Sequence, residues 1–328
     1  MTQNESFCPE MLSALQGANS ILLCTHIAPD GDAIGSSLAL ALALEGLGKQ
    51  VAVSCADPVP GCYLFLPGAD RFQRPDALKG KPFDAGLAVD CADPGRMGVC
   101  SPLFLSCPVT MQIDHHPTNP LYARYNAVDG DAAAAGCLVR RLLKALNVPL
   151  TLEIARCLYC AVSTDTGNFC FRNTSAEAFR IAAELMEAGL PLAEDARLIH
   201  LLREDAHVKL LGRALISLRR FGGGRCACVR VTPEDYAAAG AGSEHCDRIV
   251  NYALNLPGVE MAYLADCGSG DGAKISLRAV APWDVSVIAR QFGGGGHVLA
   301  SGFRMQGDPD AICAALEKEM LSQIGEKA

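Results

Sequence analysis

Short apolar runs alternate with longer helix-like segments through the first half of this 328-residue chain. The strand-like runs are residues 21–26, 51–55, 84–91 and 109–116. The helix-like segments are residues 33–48, 132–147, 151–162 and 175–189. Strands separated by helices run parallel and are covered on both faces. The pattern therefore predicts an α/β domain with a mostly parallel sheet and helices on both of its faces.

A second α/β pattern follows a charged amphipathic stretch. Strand-like runs at 226–231, 261–267 and 273–280 alternate there with helix-like segments at 245–255 and 285–292. The length of the chain and its 50% hydrophobic content allow two cores. We therefore predict a larger domain at 1–190, a helical linker at 191–220 and a smaller α/β domain at 221–328.

The amino-acid composition argues against a protein that binds long nucleic acid, is secreted or spans a membrane. The net charge is −8, and residues 1–195 hold the whole acidic excess, with 21 acidic and 13 basic side chains. The basic stripe expected of a protein that binds long nucleic acid is not visible. The 16 cysteines lie mostly in apolar runs, the start does not resemble a signal peptide, and no run approaches about 18 apolar residues. We expect a cytoplasmic protein with no membrane partner, whose cysteines are small buried side chains.

Acidic and histidine residues follow three of the predicted strands. The first strand leads into His26, Asp30 and Asp32, the third ends at Asp90, and the fourth ends in a run of three. That run is Asp114, His115 and His116, and Asp165 follows a later helix. Sites in parallel sheets form beyond the carboxyl ends of strands, and carboxylate with imidazole suits cations such as Mn²⁺. Each residue alone has a simpler interpretation as a turn former, helix cap or structural histidine.

A glycine run marks the second domain. Four consecutive glycines, Gly293, Gly294, Gly295 and Gly296, precede His297, and Arg278 lies on a nearby predicted strand. Because glycines have no Cβ atoms, a nucleotide can approach their backbone closely, and their N–H groups can form an anion-binding nest. The alternative is a flexible turn or a tight packing crossover.

Taken together, these motifs resemble those of the DHH phosphoesterase superfamily. The matching stretches are HIAPDGDAIGS, AVDCADPGRMG, IDHHPTN and STDTGNFCFRNTS, and residues 276–303 resemble the DHH-associated C-terminal domain. The resemblance implies an active-site cleft between the two domains. It also implies hydrolysis of short oligoribonucleotides and 3′-phosphoadenosine 5′-phosphate (pAp) through a hydroxide that bridges two divalent metal ions. The alternative within the superfamily is a phosphodiesterase for cyclic-di-AMP or linear pApA.

The resemblance also assigns roles to individual residues. The implied metal ligands are His26 and Asp30 for one ion, Asp32, His115 and Asp165 for the other, and Asp90 as the bridge. His116 would face the scissile phosphate, with Asp114 orienting the site. The implied substrate contacts are Arg278, Gly293, Gly294, Gly295, Gly296 and His297, with Arg96 as a substrate contact or a surface ion pair. The ions would be Mn²⁺, with Mg²⁺ or Co²⁺ as substitutes, and a homodimer is left open.

A few further residues receive structural interpretations. His200, His207 and His245 lie on helical segments without ligand-like neighbours, so we expect them at the surface or an interface. Trp283 is expected to anchor packing, and Asp284 to cap the helix that follows it.

Overall fold

Two α/β units, divided between Leu202 and Arg203, make up the described part of the chain, residues 7–268 and 270–325 of the computed structural model. The six strands of the first unit are β1 (Ser20–Cys24), β2 (Gln50–Ser54), β3 (Phe72–Gln73), β4 (Ala85–Val89), β5 (Thr110–Asp114) and β6 (Tyr125–Val128). They form one parallel sheet in the order β3-β2-β1-β4-β5-β6. The predicted parallel α/β domain is confirmed.

Helices surround this sheet. They are α1 (Pro9–Gly17), α2 (Gly31–Gly46), α3 (Ser101–Leu105), α4 (Ala135–Ala145), α5 (Leu152–Asp165), α6 (Ala176–Glu187) and α7 (Leu192–Ala196). Helix α2 is rich in Ala and Leu and is buried without interruption from Gly31 to Ala41, which matches its almost wholly apolar sequence. A Cβ at Gly35 would lie 2.4 Å from the carbonyl oxygen of Cys157. Glycine therefore lets α2 pack closely on α5, and this contact fixes the start of one helix against the other.

The second unit has its own sheet and cores. Its strands are β7 (Arg219–Phe221), β8 (Cys226–Val231), β9 (Met261–Asp266), β10 (Ala273–Ala279), β11 (Gly295–His297) and β12 (Ala300–Met305). The order is β11-β12-β10-β9-β8-β7, with β8 and β9 parallel and the other pairs antiparallel. Its helices are α8 (Asp205–Ile216), α9 (Pro233–Ala239), α10 (Ile249–Leu254), α11 (Val285–Gln291) and α12 (Pro309–Gln323).

The stretch predicted as one helical linker, 191–220, is broken in the structure. Helix α7 runs into a π-helical turn at Arg197–Leu201, extended backbone follows at Leu202, and α8 begins afresh at Asp205. Strand β7 already starts at Arg219. The amphipathic pattern continues across the break because both helices bury one apolar face, so the sequence pattern did not reveal it.

Most of the structural interpretations of single residues hold. Most cysteines are buried free thiols, and the exposed ones are Cys8, Cys62 and Cys170. Trp283 packs against the core of its unit, and Asp284 caps α11 by accepting the N–H of Ser286. His207, expected at the surface or an interface, is instead buried and donates from Nδ1 to the carbonyl of His245 at 2.8 Å. No helix among the described residues is long and apolar enough to cross a membrane.

Candidate metal centre

The loop after β1 is held in place by contacts on both of its sides. Ala28 has a left-handed backbone with φ of 50°, and its N–H donates to Asp57 Oδ2 at 2.7 Å. The N–H of Ile27 donates to the carbonyl of Arg96 at 2.7 Å. Asp30 caps α2 by accepting the N–H groups of Asp32 and Ala33, each at 3.1 Å. The strained loop therefore delivers His26 and Asp30 in a fixed relation to the helix.

Asp32 is fully buried in the first turn of α2. Its Oδ1 accepts from Ser36 Oγ at 2.7 Å and from the N–H of Gly136 at 3.0 Å, and its Oδ2 accepts from the N–H of Ala135 at 2.6 Å. The carboxylate therefore sits at the N-terminus of α4, where the helix dipole favours negative charge. Burial, with the nearby carboxylates of Asp90 and Asp165, raises the pKa of Asp32 well above its usual range.

Asp90 follows β4 in a left-handed conformation, with φ of 53°. Its two oxygens face different histidines: Oδ2 lies 3.6 Å from His26 Nε2, and Oδ1 lies 3.5 Å from His115 Nε2. Oδ1 is buried and accepts no hydrogen bond from any residue that the structure describes. Burial raises the pKa of Asp90, but the contacts with His115 and His26 outweigh it, so the pKa is lowered. A strained, buried carboxylate with an unsatisfied oxygen indicates a site for a ligand.

His115 faces three carboxylates. Its Nε2 lies 3.1 Å from Asp165 Oδ2 and 3.7 Å from Asp32 Oδ2, in addition to the contact with Asp90. Asp165 is the last residue of α5, and burial, more than its neighbours, raises its pKa. Helix packing between α2 and α5 therefore brings residues 32 and 165 to the same imidazole.

Both imidazoles present the same atom to the carboxylates. His26 donates from Nδ1 to the carbonyl of Ile27 at 2.8 Å, and the Nδ1 of His115 lies 3.3 Å from the carbonyl of Ala132. Each Nε2 lone pair then faces carboxylate oxygens, so a proton or a cation must lie between them. Burial lowers the pKa values of both rings, but the carboxylates outweigh it and raise them, to about 10 for His26 and about 12 for His115.

The described residues contain three groups of possible metal ligands, and within each group the ligand atoms lie within 4.8 Å of one another. The groups are His26 with Asp30 and Asp90, Asp32 with His115 and Asp165, and Asp90 with His115 and His116. Mixed nitrogen and carboxylate donors suit Mn²⁺ and similar ions. The unsatisfied Asp90 oxygen and the two inward-facing imidazole nitrogens fit a divalent cation in each of the first two groups.

His116 and Asp114 form a pair beside these groups. His116 Nδ1 donates to Asp114 Oδ1 at 2.7 Å, and this contact, more than any other, raises the pKa of His116. Asp114 is fully buried, and its Oδ2 accepts from Asn119 Nδ2 at 2.5 Å. Asp114 therefore orients the ring of His116.

The glycine run of the second unit is part of its sheet. Gly295 to His297 form the edge strand β11, which pairs with β12. A Cβ at Gly294 would lie 2.2 Å from the carbonyl oxygen of Gly302, so that glycine is needed for close strand packing. The crossover interpretation thus accounts for part of the run.

Arg278 and His297 are nevertheless aligned. Both lie directly opposite Ala300, Arg278 from β10 and His297 from β11. Residues directly opposite in antiparallel pairs project from the same face, so the two side chains flank the small Ala300. Burial lowers the pKa of Arg278 and outweighs the nearby charge of Asp247, which raises it. Arg96 belongs to the first unit, where it is exposed and its backbone carbonyl supports the loop after β1.

Four supporting residues were not identified from the sequence. Ser36 and Asn119 donate to the buried carboxylates of Asp32 and Asp114, Asp57 holds Ala28, and Asn173 donates to the carbonyls of Asp165 and Ala133. Ser36 and Asn119 lie inside motifs that the sequence displays, four and five positions after the aspartates they contact. No sequence signal marks Asp57, because its partner is a backbone N–H in a distant loop.

Known proteins provide an independent comparison. Residues 20–162 match the DHH family, N-terminal domain. The bifunctional oligoribonuclease and PAP phosphatase NrnA of Thermus thermophilus is 38% identical over 300 residues, which are 91% of this chain and 87% of that protein. The Bacillus subtilis protein of the same name is 24% identical over 94% of this chain and 97% of its own length.

A solved structure shows the same fold. An exopolyphosphatase-related protein from Bacteroides fragilis superposes with a TM-score of 0.89 at 24% sequence identity, and the match covers 96% of this chain and 95% of that one. The fold, the sequence motifs and the similarity to the Thermus protein all indicate the same family. The chain belongs to the DHH family, and it is a hydrolase of the phosphoesterase class.

Proposed function

We propose that this chain is a divalent-metal-dependent phosphoesterase that hydrolyses short oligoribonucleotides and pAp. The geometry of Asp90 is the observation that most supports metal dependence, because its two oxygens face His26 and His115 separately. The substrates follow from the relatives named as oligoribonuclease and PAP phosphatase, one of which is 38% identical over most of the chain.

The ligand atoms divide into two sets. His26 and Asp30 would hold one cation, Asp32, His115 and Asp165 the other, and Asp90 both. The donors favour Mn²⁺, which accepts imidazole nitrogen more readily than Mg²⁺ does, and Co²⁺ would also fit. When bound, the cations supply stabilisation of the negative charge that develops on the phosphoryl group.

His116, which lies outside the ligand set, would act on the substrate in the first unit, and Asp114 would position it. Asp114 accepts the Nδ1 proton of His116 and holds the ring in one orientation. His116 would then donate a proton from Nε2 to the leaving oxygen, a general-acid role. Asn119 keeps Asp114 in place from the other side, so the proton donor rests on a buried hydrogen-bonded pair.

The second unit would bind a substrate phosphate. Arg278 and His297 stand two strand spacings apart, about 10 Å, with only the methyl group of Ala300 between them. A half-buried guanidinium is suited to binding an anion. The net charge of −8 means that acidic side chains outnumber basic ones, which disfavours binding of a longer nucleic acid and favours small substrates.

A substrate panel tests the proposal. We expect the purified protein with Mn²⁺ to hydrolyse pAp and RNAs of two to five nucleotides, with kcat/KM falling as the RNA is lengthened. Cyclic-di-AMP and linear pApA belong in the same panel. Failure to hydrolyse any of these substrates would overturn the enzyme assignment, and a higher kcat/KM on cyclic-di-AMP than on pAp or short RNA would overturn the substrate assignment.

A further inference from the structure

The last segment of the first unit, residues 192–202, is joined to one face of helix α5 by two polar contacts; we call this segment the connector. Arg156 donates to Asp195, with Nη2 2.8 Å from Oδ1 and Nε 3.0 Å from Oδ2. His200 Nε2 lies 3.0 Å from Ser163 Oγ. Arg156 and Ser163 are seven positions apart, about two helical turns, so both contacts lie on the same stripe of α5.

His200 occupies an unusual backbone position. It lies in the π-helical turn Arg197–Leu201, which ends where the N–H of Leu202 donates to the carbonyl of Arg197 at 2.8 Å. π-Helical turns are rare in proteins overall, but those that occur often lie at functional sites. The ring of His200 also meets the ring of Tyr159 edge to face, with centroids 6.5 Å apart and planes at 90°. The sequence had indicated a surface or interface histidine, but the ring is packed against α5.

Ser163 connects His200 to the end of α5. Ser163 is fully buried and lies two residues before Asp165. Its carbonyl accepts the N–H of Asn168 at 2.6 Å, and the Asn168 side chain accepts from the hydroxyl of Tyr159 at 3.3 Å. Asn168 has a left-handed backbone, with φ of 55°, in the loop that follows Asp165. One serine therefore contacts both the connector and the loop that leaves the metal ligand.

We propose that His200 is a positioning residue for Asp165. It holds the last turn of α5 so that the Asp165 carboxylate stays 3.1 Å from His115 Nε2. The inference rests on the proposed function, since Asp165 matters here as a ligand of the second cation. The chain enters the second unit at Arg203, three residues after His200, so the contact lies where the chain passes from one unit to the other.

Binding of Mn²⁺, followed by the EPR signal of the free ion, tests this without any turnover. We expect the unaltered protein to bind two ions and His200→Ala to weaken one of them about 10- to 100-fold, as outer contacts of metal sites do. His200→Gln should restore most of the affinity, because its amide reaches the position of Nε2. Ser163→Ala removes the same hydrogen bond from the other side and should weaken the same ion, which keeps the test valid if His200→Ala folds poorly.

The matched control is His207→Ala in the second unit, where the buried His207 donates to a backbone carbonyl. It should lower the melting temperature and leave Mn²⁺ binding unchanged. Wild-type Mn²⁺ affinity in both His200→Ala and Ser163→Ala, or equal weakening in His207→Ala, would overturn the inference. The kcat on pAp should fall in His200→Ala while KM changes little. Failure of the proposed function is distinct, because the unaltered protein would then fail to bind Mn²⁺ or hydrolyse pAp and short RNA.

Discussion

Asp32 Oδ2 accepts the backbone N–H of Ala135 at 2.6 Å, although the two residues are 103 positions apart in the chain. Asp32, in the first turn of the buried helix α2, therefore caps the start of α4. The same carboxylate is a candidate metal ligand. Since Ala134 provides no side-chain cap for α4, the position of Asp32 is set by a helix N-terminus, not by neighbouring side chains alone.

Ser36 should support metal binding through Asp32. Ser36→Ala removes the 2.7 Å hydrogen bond to Oδ1, so we expect Mn²⁺ affinity to fall about 10-fold in a calorimetric titration. Ser37 is the control, because its buried hydroxyl has no partner in the part of the chain that the structure describes. Ser37→Ala should therefore bind Mn²⁺ normally and be at least as stable. Equal losses in the two variants would show that Ser36 acts only through packing.

Asp90 should determine how the protein responds to metal. Neutralising several close carboxylates stabilises the folded state, so Mn²⁺ should raise the melting temperature and EDTA should reverse the rise. Asp90→Asn removes the charge of the ligand proposed to be shared by both sets and should abolish the rise together with hydrolysis of pAp. Asp76→Asn alters an exposed carboxylate of the same unit and should behave as the unaltered protein does. A full Mn²⁺-induced rise in Asp90→Asn would contradict a shared bridging ligand.

Asp57 should hold the loop that carries His26. Asp57→Ala leaves the N–H of Ala28 without its acceptor, and the left-handed conformation of Ala28 then loses its support. We expect Mn²⁺ affinity to drop about 10-fold with little change in the melting temperature, because Asp57 is exposed. Asp57→Asn keeps an acceptor oxygen and should retain most of the affinity. If Asp57→Ala bound Mn²⁺ as tightly as Asp57→Asn and the unaltered protein do, Asp57 would have no role in holding the loop.

Arg278 should contribute to substrate binding more than to the chemical step. Arg278→Ala is expected to raise KM for pAp about 10-fold or more with a smaller change in kcat, because a charged hydrogen bond to phosphate is lost. Arg278→Lys keeps the charge and should recover part of the loss. A fall in kcat at unchanged KM would place Arg278 outside the binding role assigned to it.

The sequence predicted which candidate site residues lie together better than it predicted the element boundaries and the supporting contacts. Asp90 and Asp114 were found because parallel strands bring their carboxyl ends to one edge of the sheet, a rule that needs no side-chain detail. The break at Leu202 was missed because two amphipathic helices in succession show one continuous pattern. The contacts of Asp57 and His200 were missed because each joins segments distant in sequence, and neither Asp57 nor His200 lies in a motif.

The Arg156–Asp195 pair should matter for stability. Asp195 is fully buried and accepts Nε and Nη2 of Arg156, so removal of the guanidinium would leave a buried carboxylate without its partner. We expect Arg156→Leu to lower the free energy of unfolding by about 3–5 kcal/mol, measured by urea denaturation of the metal-free protein. Arg156→Leu combined with Asp195→Leu should recover part of the loss, because no uncompensated charge remains. If the single variant cost less than about 1 kcal/mol, the pair would be behaving as a surface ion pair, and the connector would be held to α5 by the Ser163–His200 contact and apolar packing alone.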